Sequence, residues 1–372
     1  MGQITLISAD SHINEPPNTF VDRVPARLKD RAPRVERTPE GDVWMFESGA
    51  PRPIGLDSMA GRDFKDYQRT GHTYEKMRQG AFDPKARLDD MTADQVAAEV
   101  IYPGAGFRLN SMPDAKLQLA CMRAYNDWLA EFCAAGEGRL AGLGLLPMKD
   151  IGVAVEELKR IGTLGLRGAV LPAVTPKFYS NADYDPIWAM AAEQRLPLSF
   201  HIGGMRGMTL QDATTGSKDG TPDPGAMMTY MAISKMALAE PLAFLIFSGA
   251  LQRHPNLQIV LVEGGFSWLA YLIAQMDVSF ERHRYWTNST LEEPPSVYFH
   301  RQVRATFIQD KPGMDVLHLV GADNVLWSSD YPHSDSTWPK SQEMVAAQFA
   351  GVSEENKAKI VAGNAARIYR LN

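Results

Sequence analysis

Four stretches of this chain run from apolar, β-prone residues straight into side chains that bind protons or cations. Ile4-Thr-Leu-Ile-Ser-Ala-Asp10 leads into Ser11 and His12, and Leu198-Ser-Phe-His201 leads into Ile202, Gly203 and Gly204. Ile259-Val-Leu-Val-Glu263 leads into Gly264 and Gly265, and Val325-Leu-Trp-Ser-Ser-Asp330 leads into Tyr331, Pro332 and His333. A short apolar run closed by turn residues reads as a buried strand. One carboxylate or imidazole at a strand end is most often a cap or a turn residue. Four such ends, spread from Asp10 to Asp330, imply one polar centre at one rim of a parallel sheet.

Asp10 and His12 stand two apart, and side chains at that spacing on a strand share a face. Both therefore project into one cavity mouth, where His201 adds an imidazole and Asp330 a carboxylate. Oxygen and nitrogen donors in this mix suit Zn2+ or Mn2+, and the lack of cysteine ligands argues against a closed structural zinc. The expected cofactor is one divalent metal ion held by Asp10, His12, His201 and Asp330.

The strands that must position these residues number eight, at about 4–10, 98–103, 140–146, 167–172, 197–201, 257–263, 301–309 and 324–329. Helical patterns fill most of the gaps, at 85–97, 114–135, 150–162, 184–195, 227–254, 266–284 and 312–320, with 340–350 and 354–370 after the last strand. Alternating strand and helix implies parallel pairing, since parallel strands need a crossover. Eight such units are the count of a (β/α)8 barrel. A doubly wound sheet is the alternative, but no G-x-G-x-x-G or phosphate-binding loop follows any strand.

Two interruptions stand out, and the whole of 1–372 reads as a single barrel domain around them. Residues 16–84, rich in Pro, Arg, Asp and Gly, form an insertion after the first strand, and residues 203–226 form a long loop after His201. In a barrel both lie at the C-terminal rim, as lid or pocket wall.

Composition narrows the partners. The chain has 372 residues, 45% hydrophobic and 22% charged, with net charge −6 and no basic block. Nucleic-acid and anionic-membrane binding are disfavoured, and no apolar run reads as long enough to span a bilayer. Cys121 and Cys133 are the only cysteines. On one helix they would sit ~18 Å apart, too far for a disulfide, so a reduced, cytoplasmic protein is expected.

Several motifs resemble the amidohydrolase-related proteins, in particular the branch that includes aminocarboxymuconate semialdehyde decarboxylase and the metal-dependent benzoate-type decarboxylases. They are Ala9-Asp10-Ser-His12-Ile-Asn-Glu15-Pro, Phe200-His201-Ile-Gly, Ser328-Ser-Asp330-Tyr-Pro-His333 and Asn364-Ala-Ala-Arg-Ile-Tyr-Arg-Leu371. The resemblance covers essentially the whole chain, in order. It implies a distorted (β/α)8 barrel with a single divalent metal, its first ligand motif falling on Asp10 and His12, its fifth-strand histidine on His201 and its eighth-strand aspartate on Asp330. Two departures matter. Asp10 replaces a histidine, which makes the site harder and shifts the expectation toward Mn2+. Glu263 stands where many relatives carry a sixth-strand histidine, and serves either in proton transfer or as partner of a ligand histidine.

Further candidates surround this set. Glu15 either orients His12 or faces solvent, and His333 is expected to face the cavity with Asp330. His72, in the first insertion, and Arg206, in the second loop, are candidate substrate contacts; the planar guanidinium of Arg206 suits a carboxylate. No G-x-S-x-G elbow, H-E-x-x-H helix or cysteine nucleophile pattern occurs. The resulting expectation is non-oxidative decarboxylation of a carboxylated aromatic or unsaturated ring acid, with Glu263 or Asp330 carrying the proton. The alternative is hydrolysis of a lactone, amide or C–C bond by metal-activated water. The expected partners are a small carboxylate substrate and a second copy in a homodimer, because the helices 227–254 and 266–284 carry apolar residues on more than one face.

Overall fold

The structure, a computed structural model, describes residues 5–206 and 223–371. Its strands are β1 (Leu6–His12), β2 (Arg34–Thr38), β3 (Gly41–Met45), β4 (Arg52–Pro53), β5 (Val96–Tyr102) and β6 (Leu140–Leu145), followed by β7 (Gly168–Leu171), β8 (Leu198–His201), β9 (Ile259–Val262), β10 (Val303–Phe307) and β11 (Val325–Trp327). Eight of them form one sheet in the order β1-β5-β6-β7-β8-β9-β10-β11. The pairs β1/β5, β5/β6, β8/β9 and β9/β10 are parallel. Strand order that follows chain order, with a crossover between neighbours, makes this a (β/α)8 barrel, as expected from the sequence.

By density of contacts the chain divides into two compact units, Met1–Ala169 with Leu326–Asn372, and Val170–Val325. In the first unit β1 is buried along its whole length. Its register against β5 slips between Ser8 and Ser11, and such an irregularity re-aims the side chains beyond it. Backbone bonds also join β1 to the segment after β11: Asp330 N donates to Asp10 O at 2.9 Å and His12 N to Tyr331 O at 2.6 Å. Three buried serines bind at the same seam. Ser8 Oγ accepts from Ser329 N at 2.9 Å and lies 2.9 Å from Ser11 Oγ, which lies 3.2 Å from Ser329 Oγ. Helices α1 (Pro84–Ala93), α2 (Ala115–Ala134) and α3 (Ile151–Thr163) each begin at an aspartate, Asp83, Asp114 or Asp150, whose carboxylate accepts first-turn N–H groups, the usual way to satisfy a helix start.

The insertion at 16–84 has structure that its sequence hides. β2, β3 and β4 form a separate antiparallel sheet, and β2 has no fully buried residue, so Arg34, Glu36 and Arg37 mask its strand character. Of the second loop, 207–222 lie outside the described residues.

In the second unit the expected long helix at 227–254 is broken into Pro224–Ile233, Ala239–Phe247 and Ala250–Arg253. Gly249, at φ +74°, supplies the last break in a backbone conformation that favours glycine. The stretch Pro224–Phe247 also corrects the expectation on apolar runs. It spans 24 residues and contains an 18-residue window of mean hydropathy 1.4, enough by length and composition alone to cross a membrane. The interruptions Lys235 and Glu240 conceal this in the sequence, and Leu242, Leu245 and Ile246 are buried within the unit.

Candidate metal centre

In the first unit the ends of β1 and β11 bring together Asp10, His12, Asp330 and His333. His12 Nε2 lies 3.4 Å from Asp10 Oδ1 and 3.5 Å from Asp330 Oδ1, with all three side chains buried. One ligand atom each of His12, Asp330 and His333 lies within 4.8 Å of the others. The His333 ring stacks on His12 with centroids 3.9 Å apart, and its Nδ1 lies 3.1 Å from Asp330 Oδ1. Asp330 adopts φ +54°, a left-handed conformation that aspartate tolerates better than most residues.

The other nitrogen of His12 fixes its ring. Nδ1 sits 2.8 Å from Pro103 O, and a carbonyl only accepts, so Nδ1 carries the proton. In the neutral ring Nε2 then presents a lone pair to two carboxylates. Lone pairs face lone pairs, an arrangement that a cation between them turns from repulsion into attraction. Imidazole and carboxylate donors in this geometry fit a divalent ion.

The second unit repeats the pattern at the ends of β8 and β9. His201 Nδ1 lies 2.8 Å from Ile202 O, which commits that nitrogen as donor, while Nε2 lies 3.6 Å from Glu263 Oε2. Glu263 is held at φ +64°, and its other oxygen accepts from Lys235 Nζ at 2.9 Å. Glu263 thus stands beside His201 and pairs with Lys235. Tyr230 is buried close by, and burial, with the Glu263 charge adding, raises its phenol above the usual range.

The outlying candidates sit elsewhere. Glu15 neither touches His12 nor faces solvent. It is fully buried, and its carboxylate accepts from the backbone of Gly104, Ala105 and Gly106 at 3.2, 2.8 and 3.0 Å. His72 is buried against the β2–β3 turn, where its carbonyl accepts from Asp42 N at 2.7 Å. Burial, with Arg62 and Lys76 adding, lowers its imidazole below the usual value. Arg206 bonds Glu240 and Thr175 O and covers the Phe178 ring at 4.5 Å, so a substrate carboxylate would compete with Glu240 for it. Both thiols are pushed up to about 12 by burial, which leaves them poor nucleophiles.

Sequence reasoning missed the supports. Arg87, fully buried, bonds Glu99 and donates to His12 O at 2.9 Å and Gly80 O at 3.2 Å, with its guanidinium 4.4 Å over the Tyr331 ring. A carboxylate inside the otherwise apolar Val96–Tyr102 was the available signal. Lys235 gave none, being a lone cation in an apolar helix.

An eight-stranded parallel barrel with imidazole and carboxylate at the C-terminal ends of its strands is the architecture of the metal-centred barrel enzymes. The chain belongs to the Amidohydrolase family, which it matches over residues 10–371. It is 27% identical over 289 residues to gamma-resorcylate decarboxylase of Rhodococcus jostii (strain RHA1), covering 71% of this chain and 80% of that one. Among solved structures, an amidohydrolase from Mycobacterium avium subsp. paratuberculosis K-10 superposes with TM-score 0.77 at 19% identity, over 99% of this chain and 98% of that one. A dihydroxybenzoic acid decarboxylase from Polaromonas sp. JS666, with bound manganese and the inhibitor 2-nitroresorcinol, gives TM-score 0.65 at 19% identity, over 100% and 98% of the two chains. The two structures share the fold of this chain.

Proposed function

We propose that this protein is a divalent-metal-dependent, non-oxidative decarboxylase of a carboxylated aromatic or unsaturated ring acid. The observation that carries the reading is the pair of histidines, His12 and His201, each with Nδ1 committed to a backbone carbonyl and Nε2 turned toward carboxylates. The gamma-resorcylate decarboxylase relative supports the reaction class. Asp10, His12, His201 and Asp330 are the residues assigned to hold the ion, Mn2+ or Zn2+. When bound, the ion supplies positive charge that holds a carboxylate and an adjacent oxygen.

The chain's own residues do the rest. Glu263 or Asp330 carries a proton to the ring carbon as its bond to the carboxylate breaks, so that the substrate's carboxylate leaves as CO2 and the ring carbon keeps the proton in a new C–H bond. His333, stacked on His12, walls the same space. Arg206 and His72 are the assigned contacts for the outer part of the substrate, and their substitution should raise KM more than it lowers kcat. A homodimer completes the proposal, supported by exposed Met228, Met231 and Met236 on the apolar stretch Pro224–Phe247. Light scattering at micromolar concentration tests it. Two free thiols accord with a cytoplasmic setting.

The deciding experiment screens hydroxybenzoates and lactones in 18O-labelled water. CO2 release without label in the product supports the decarboxylase. Label in a new carboxylate, with no CO2, overturns it in favour of hydrolysis.

A further inference from the structure

The peptide unit between Pro103 and Gly104 is bonded at both ends. Its carbonyl accepts from His12 Nδ1 at 2.8 Å, and its N–H donates to Glu15 Oε1 at 3.2 Å. A trans peptide is a rigid plane with C=O and N–H pointing in opposite directions. Fixing the N–H therefore fixes the carbonyl. We propose that Glu15 is a positioning residue for His12, its carboxylate acting through the 103–104 peptide to set the His12 ring direction and to strengthen the Nδ1–H bond.

The surroundings are shaped for this relay. Ala105 N and Gly106 N also donate to Glu15, at 2.8 and 3.0 Å, so three successive N–H groups form a concave anion seat. A side chain at Gly104 would meet Ile13 O at 2.2 Å, and one at Gly106 would meet Glu15 Oε1 at 2.9 Å. Only glycine allows the loop to close this tightly on the carboxylate. Glu15 is itself anchored from the insertion: Tyr74 Oη donates to Glu15 O at 2.8 Å, and Trp44 Nε1 donates to Tyr74 Oη at 3.1 Å. That gives part of 16–84 a task in holding Glu15.

The chemistry follows from polarisation. Negative charge at the N–H end draws electron density toward the carbonyl end, and chained hydrogen bonds strengthen one another. A stronger acceptor at Nδ1–H makes Nε2 a better donor to a cation, which is how outer partners tune ligand histidines. Here a peptide stands between carboxylate and imidazole.

The inference rests on the proposed role of His12 as metal ligand, and the test separates the two. Mn2+ is titrated into chelator-treated wild type, Glu15→Gln and Tyr74→Phe, with free Mn2+ read by electron paramagnetic resonance and melting followed by circular dichroism. Tyr74→Phe disturbs the anchor but leaves the anion seat intact, and is the control for simple loosening. Glu15→Gln should bind Mn2+ about 10–100-fold more weakly, with Tyr74→Phe close to wild type. Equal affinity in Glu15→Gln and wild type overturns the relay, as does an equal loss in both variants. Failure of wild type to bind Mn2+ overturns the metal reading itself. If Glu15→Gln does not fold, Glu15→Asp, one methylene shorter, takes its place, with weakened binding supporting the relay and wild-type affinity overturning it.

Discussion

The backbone N–H of Asp330 donates to the carbonyl of Asp10 at 2.9 Å. Two carboxylates 320 positions apart in the chain are thus held in register by main chain, before either side chain meets a ligand. The return bond from His12 N to Tyr331 O, 2.6 Å long, makes the join a short ladder. The seam thus fixes the backbone that carries Asp10, His12 and Asp330.

Ser8→Ala tests the seam. Ser8 Oγ accepts from Ser329 N and bonds the hydroxyls of Ser11 and Ser329, all buried. Removing it strands a buried N–H, at a cost of about 1–3 kcal/mol. Urea unfolding should show that loss, with a fall in activity as Asp330 loses its fixed distance from Asp10. A variant with wild-type stability would mean that the hydroxyls add little.

Arg87→Met should be more severe. Arg87 neutralises buried Glu99 and donates to His12 O. Removing one partner of a buried pair costs roughly 3–5 kcal/mol. Because burial already pushes the Glu99 carboxyl above its ordinary range, the Glu99→Gln partner change should restore part of the stability. A double variant no more stable than the single one would contradict this account.

The strand-end positions of the candidate residues were legible because strand ends are local signals: an apolar run, then a carboxylate or imidazole, then glycine or proline. Asp10 and His12 share a face by the two-residue period, and the eight-fold alternation sets the architecture. What was hidden depends on long-range pairing. Glu15 meets its three N–H donors about 90 positions away, and nothing near residue 104 advertises a carboxylate. Lys235 finds Glu263 across 28 positions, from a helix whose composition suggests only packing. The three-stranded sheet in the insertion escaped because β2 is nowhere fully buried, and Arg34, Glu36 and Arg37 leave it no apolar alternation.

Asp94 sets a pH dependence of stability. It accepts from Ser341 N and Ser341 Oγ at the start of helix Ser341–Gln348, yet burial raises its carboxyl from 3.8 to about 6. A carboxyl with a raised folded value binds its proton more tightly folded than unfolded. Its contribution is therefore present at low pH and is lost as pH rises from about 4 to about 6. Chemical denaturation across that window should show a falling component that Asp94→Asn removes. An unchanged slope in the variant would assign it to other groups.

Metal removal is the last test, and the donor set decides its form. The assigned ligands are two imidazoles and two carboxylates with no thiolate, a mixture open to both Zn2+ and Mn2+. Raw affinity favours Zn2+ in such sites, so occupancy after purification says little about which ion works. Chelator treatment should abolish turnover, and activity regained on adding each ion separately reports the competent one. The two aspartates make the site hard enough that Mn2+ should restore more activity than Zn2+. His201→Ala keeps the carboxylates but removes one of the two Nε2 donors. It should lower Mn2+ affinity by more than the roughly 10–100-fold that loss of an outer partner costs, and should lose activity in parallel. Full turnover by wild type after exhaustive chelation, or by His201→Ala, would remove the ion from the reaction and His201 from its ligands.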